Sequence, residues 1–224
     1  MIQLSPNAER ALEAARPRLR GVSHALAAVV SAPLAIRAIL VAEPGTPRVA
    51  VGMYTLAAVV MLTLSAGMHW RDRGPVATEV WVRLDHTGIY LMIGAATVAV
   101  ALLGLPPSWQ RWVIPVAVVL AVVGLVVEWL PTATPRGFAH GMFLGAGWVM
   151  IIGVVELWQG PGGRAAVVWL VAGGLAYTLG AVIVALRRPD PWPTWFGYHE
   201  LWHVLVIVAV ACHWHLVVGV LAPA

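Results

Sequence analysis

The stretch HELWHVLVIVAVACHWHLVVGV, residues 199–220, decides how the chain is read. It is long and apolar enough to be a membrane span, since crossing a bilayer takes about 20 mostly apolar residues. Yet it opens with two histidines and a glutamate, which a span carries only at a cost. Working outward, the same apolar character fills the chain. Hydrophobic residues make up 60% of the 224 and charged residues 11%, against roughly a quarter charged in soluble domains. Such a composition excludes a soluble surface and predicts an all-α, multi-span membrane protein, because helices satisfy their own backbone in lipid. The net charge of +4 sets 14 basic residues, all of them Arg, against 10 acidic ones. Basic loops beside a membrane account for it, and no nucleic-acid partner is needed.

Seven apolar runs are expected as spans: roughly 22–42, 49–70, 80–103, 109–130, 137–157, 165–186 and 198–220. The connectors EPGTP, RDRGP, PPSWQR, PTATPRG, QGPGGR and RRPDPWPTWFG are rich in Gly and Pro, which punctuate helices. They are short, so successive helices pack as antiparallel neighbours. The expected layout is an N-terminal segment 1–21, a seven-helix domain 22–220 and a short tail 221–224. Residues 4–20 show an apolar stripe beside an Arg-rich face, which fits either a short helix on the membrane surface or a charged tail. Trp70, Trp81, Trp109, Trp112, Trp129, Trp158, Trp192 and Trp195 stand near span ends, where interfacial anchoring is the expected role.

The arginines give the expected orientation. The N-terminal segment and even-numbered connectors hold Arg10, Arg16, Arg18, Arg20, Arg71, Arg73, Arg83, Arg136, Arg187 and Arg188. The opposite side holds Arg37, Arg48, Arg111 and Arg164. That bias predicts a cytoplasmic N-terminus and an external C-terminus.

With this orientation, His69 ends span two, Asp85 and His86 begin span three, and His199 and His203 begin span seven, all near the inner face. Ser65 and His69 share a helix face four residues apart, as do His199 and His203, one turn or about 6 Å along the axis. An i, i+4 histidine pair can place two imidazoles on one metal. HELWH also satisfies the bare pattern H-E-x-x-H, which leaves Glu200 open as a base, although it points about 100° from His199. His69 is the expected third ligand. Three imidazoles suit Zn²⁺ and leave a position for water, whose pKa the metal would lower towards about 7. Asp85 is the candidate proton acceptor and Ser65 the candidate group orienting water or an oxyanion. His213 and His215 are expected in structural roles, since 14 residues from His199 rise about 21 Å. His24 and His140, at the inner starts of spans one and five, are expected at the interface or lining the cavity. His86 is expected to pack or hydrogen-bond at the start of its helix. Cys212, the one cysteine, has no partner for a disulfide or thiolate site.

The elements SAGMH (65–69), RLDHTGIY (83–90), GGLAYTLGAVIV (173–184) and FGYHELWHVLV (196–206) occur in that order. Together they resemble the bacterial hemolysin III family, within the progestin and adipoQ receptor superfamily that includes the adiponectin receptors and is related to alkaline ceramidases. The resemblance implies a seven-helix fold in a bacterial inner membrane and a zinc ion near the cytoplasmic face, held by His69, His199 and His203. It maps the family's Ser and Asp onto Ser65 and Asp85, and it implies hydrolysis of a lipid amide or ester, with a membrane lipid as substrate or ligand. A membrane-state sensor or receptor with structural zinc is the alternative. A pore-forming cytolysin fits poorly, because the polar residues cluster at one end of the spans. A two-haem cytochrome lacks partner histidines: Thr55 stands fourteen before His69 and Val100 fourteen after His86.

Overall fold

The computed structural model describes residues 4–13, 16–70, 73–130 and 138–223. Of the residues weighed above, Arg71 and Arg136 lie outside these, as do the side chains of Arg10 and His140. The described chain is helical: α1 (Pro6–Glu13), α2 (Val22–Val41), α3 (Thr46–His69), α4 (Pro75–Gly104), α5 (Pro107–Trp129), α6 (Phe138–Gly147), α7 (Val154–Gln159), α8 (Gly163–Leu186) and α9 (Tyr198–Trp214). A π-helical stretch, His215–Leu221, continues α9.

Seven candidate membrane spans follow among the described residues: α2, α3, α4, α5, Gly141–Gln159, α8, and α9 with its π-helical end. Prolines stand in the first turn of α3, α4 and α5, where the missing N–H has no intrahelical partner to lose. The outward faces carry large apolar side chains such as Val29, Leu40, Val119, Ile152 and Leu186, all exposed. A lipid solvent accounts for that surface. Trp70, Trp112, Trp129, Trp158, Trp192 and Trp195 are exposed at the span ends or in the loop before α9.

Helices adjacent in sequence pack together, α2 on α3, α3 on α4, α4 on α5 and α8 on α9, and α2 meets α9 to close the bundle. The spans formed by α3 and α4 are the most buried. Tyr54 of α3 donates its hydroxyl to the Val210 carbonyl of α9 at 2.7 Å, tying together the two helices that carry the candidate histidines.

The fifth span departs from the uniform helix that hydropathy suggests. It breaks into α6, a tight 3-10 stretch at Val149–Gly153, and α7. Gly141, Gly145, Gly147 and Gly153 crowd this region, and glycine is a poor helix residue. Trp148, at the break, donates its indole N–H to Thr178 Oγ1 of α8 at 3.0 Å, replacing backbone regularity with a side-chain tie.

α1 takes the helical form of the two expected for the N-terminal segment. The Ser5 backbone N–H and hydroxyl both donate to Glu79 Oε2 at 2.8 Å, and Ala8 is buried against Met68 and Val82. A polar clasp and a small apolar contact dock α1 on the ends of α3 and α4.

Candidate metal centre

His69 is the last residue of α3, while His199 and His203 occupy the first two turns of α9. Helical periodicity puts the α9 pair on one face, and packing brings His69 to it. His199 Nε2 and His69 Nε2 are 3.3 Å apart. The ring centroids are separated by 4.8 Å for His69–His199, 4.8 Å for His69–His203 and 4.7 Å for His199–His203. One nitrogen from each ring falls within 4.8 Å of the others, so the cluster can hold a metal ion. Tetrahedral bonds of roughly 2.0–2.1 Å place two nitrogens about 3.3 Å apart, the spacing His69 and His199 already have.

The donor set fits a divalent metal. It comprises three imidazoles, with no carboxylate in the cluster among the described residues. Nδ1 of His203 is buried without a hydrogen-bond partner among the described residues, although buried polar atoms are costly when unpaired.

Gly21 lets the chain pass over this centre. Its φ is +79°, and a Cβ there would lie 2.8 Å from the Cβ of His69, so both the backbone conformation and the close approach favour glycine.

Glu200 is committed elsewhere. Its Oε1 pairs with Arg20 Nε, and its Oε2 accepts the Gly197 N–H at 2.8 Å. It is 1% exposed. One carboxylate oxygen thus caps the start of α9 and the other holds Arg20, so the Glu of the H-E-x-x-H pattern serves helix capping and an ion pair here. The same corner is fastened by Arg18 N–H to the Thr194 carbonyl at 3.0 Å and Leu19 N–H to the Trp195 carbonyl at 3.1 Å. Removing one member of a buried ion pair strands the other charge. Glu200→Ala should therefore lower stability by about 3–5 kcal/mol, read from reversible denaturation in detergent. A loss comparable to that of an exposed charge would show that the pair does not hold the corner.

Ser65 is buried on α3, one turn before His69. Its hydroxyl faces the Asp85 carboxyl on α4, which also has His86 and Glu128 as charged neighbours. Oδ1 of Asp85 is buried without a hydrogen-bond partner among the described residues. His86 joins α4 to α5 through Nδ1, 3.0 Å from Glu128 Oε2, with the Phe143 ring against its edge. His213 Nε2 donates to the Leu170 carbonyl of α8 at 3.2 Å, and His215 packs on Trp169. Both tie α8 to the end of α9.

His24 is the residue that sequence reasoning placed least well. It is 3% exposed and stacked on His203, with ring centroids 3.9 Å apart and planes 6° from parallel. Its Nε2 lies 3.3 Å from the His203 carbonyl oxygen. The available signal was its position at the start of α2, whose alternation puts it at the same end of the bundle as His69 and His199. Interfacial placement explained that equally well.

Seven helical spans with three imidazoles gathered at one end define a multi-pass membrane protein with a histidine centre able to take a metal. The chain belongs to the haemolysin-III related family, whose model matches residues 12–214. It is 30% identical over 184 residues to the adiponectin receptor protein of Drosophila melanogaster, covering 75% of this chain but 41% of the fly protein. It is 24% identical over 195 residues to hemolysin-3 of Bacillus cereus, covering 83% of each chain. It is 30% identical over 192 residues to the heptahelical transmembrane protein ADIPOR2 of Oryza sativa subsp. japonica, covering 76% of this chain and 81% of that one.

Proposed function

We propose that the protein is a zinc-dependent intramembrane hydrolase of a lipid amide or ester. The observation that carries this reading is the division of labour among the polar groups. Three imidazoles cluster as ligands, while a buried Asp85 carboxyl paired with Ser65 stays outside the ligand set. Zinc bound by His69, His199 and His203 would supply Lewis acidity, polarising a carbonyl and lowering the pKa of a water. Asp85 takes the proton of the attacking water on its free Oδ1 and returns it to the leaving group. Ser65 gives its single hydroxyl proton to that carboxyl and orients it, so the developing oxyanion would be stabilised by the zinc. The lipid reaches the site from the bilayer, consistent with spans whose outer faces are apolar.

The arginine bias supports a cytoplasmic N-terminus, so the centre lies near the inner face of a bacterial inner membrane. A sensor with structural zinc would favour four protein ligands and a closed site. Among the described residues, three donors cluster, which favours the open position a hydrolase needs.

A screen of lipid amides and esters with purified protein tests the reading. Turnover of at least one class should appear, vanish on chelation and return with added zinc. Metal-replete protein that hydrolyses none of them would leave the sensor as the better account.

A further inference from the structure

We propose that His24 is a positioning residue of the metal centre, fixing the plane of the His203 imidazole from the first span without joining the ligand set; this rests on the metal reading above. An imidazole turns about a side-chain torsion with broad minima, so a ligating ring needs something to hold its plane. Metal-bound histidines usually get this from a hydrogen bond on the second ring nitrogen. With a metal on Nε2, His203 would lack one, since its Nδ1 has no partner among the described residues. What it has is the His24 ring against its face at 3.9 Å and 6°.

His24 is itself held. Its Nε2 faces the His203 carbonyl at 3.3 Å, and a carbonyl oxygen only accepts, so Nε2 carries the proton. The hydrogen bond and the stack therefore fasten α2 to the same residue of α9, at its backbone and at its ring. Gly21 adds to this, because its positive φ and its approach to His69 let α2 begin beside the cluster.

The stack also argues against His24 as a fourth ligand. A ring nitrogen bonds a metal along a lone pair in the ring plane, at roughly 2.0–2.1 Å. Two imidazoles stacked face to face cannot both aim in-plane lone pairs at one ion. An ion in the plane of His203 stands off the parallel plane of His24 by nearly the stacking distance.

The test uses the full-length protein in detergent and compares wild type with His24→Phe, His24→Leu and His203→Ala. Zinc affinity is measured by chelator competition, the visible bands of the Co²⁺-substituted protein report ligand geometry, and circular dichroism reports folding. His24→Phe keeps a flat ring, so it should bind zinc close to wild type with unshifted Co²⁺ bands. His24→Leu should lose roughly 10- to 100-fold in affinity, the range for an outer partner of a metal ligand, and shift the bands while staying helical. Wild-type affinity and bands in His24→Leu would reduce the stack to packing and overturn the proposal. Loss of metal in His24→Phe as complete as in His203→Ala would make His24 a ligand and overturn it too, and this arm can be read even if His24→Leu fails to fold. A wild type that takes no metal would instead remove the underlying metal reading.

Discussion

His203→Ala should strip the metal from the protein. Wild type purified without chelator is expected to carry about one zinc per chain, as three imidazoles require, and the variant only a trace. The effect is large because His203 is the most buried of the three, 1% exposed, and lies 4.7–4.8 Å ring to ring from both partners. Its loss leaves His69 and His199 facing each other with no third donor. The affinity change should exceed the roughly 10- to 100-fold attributed to outer partners. His213→Ala is the control, because it removes an imidazole from the same helix that binds the Leu170 carbonyl. Elemental analysis reads both. Equal metal in wild type and His203→Ala would return these histidines to helix packing.

Asp85→Asn should keep the metal and lose turnover by about 10²- to 10⁴-fold, the usual contribution of a positioned general base. The amide is nearly the same size and still meets the Ser65 hydroxyl, so packing between α3 and α4 survives. What disappears is an oxygen able to accept a proton. Initial rates on the lipid class found by the screen, with zinc content measured on the same samples, separate three roles. Retained metal with lost turnover fits the base. Lost metal would make Asp85 a ligand, and full turnover would remove it from the mechanism.

Much of the fold is legible in the chain because the lipid solvent leaves few options. Each apolar run near 20 residues must be a helix, and the spans expected at 22–42, 109–130 and 165–186 differ from α2, α5 and α8 by a residue or two. Span three was the hardest to bound. α4 begins at Pro75, several residues before the apolar run, because Glu79 and Arg83 form an i, i+4 pair at 2.7 Å and Glu79 holds Ser5. Hydropathy counts charge as a span boundary, whereas paired charges can lie within the helix. The break in the fifth span was also hidden, since its composition is apolar throughout and the Trp148–Thr178 hydrogen bond joins residues 30 apart.

The same division runs through the site. Periodicity alone put His199 beside His203 and Ser65 beside His69, because residues four apart on a helix share a face. The turn-by-turn reversal of short-looped spans put all of them at one depth. Partner choice at short range is a different matter, since it depends on how helices distant in sequence rotate against one another. The pattern His-Glu-Leu-Trp-His left Glu200 open as a base; Arg20, 180 residues away, claims it. His24 looked like an interfacial residue until α2 closed against α9 and laid its ring on His203. By itself the sequence determined seven apolar spans and the residues that could hold a metal, because hydrophobicity and helical period are local. Only the tertiary structure decided which buried polar atoms meet, because that follows from packing between helices that no local pattern encodes.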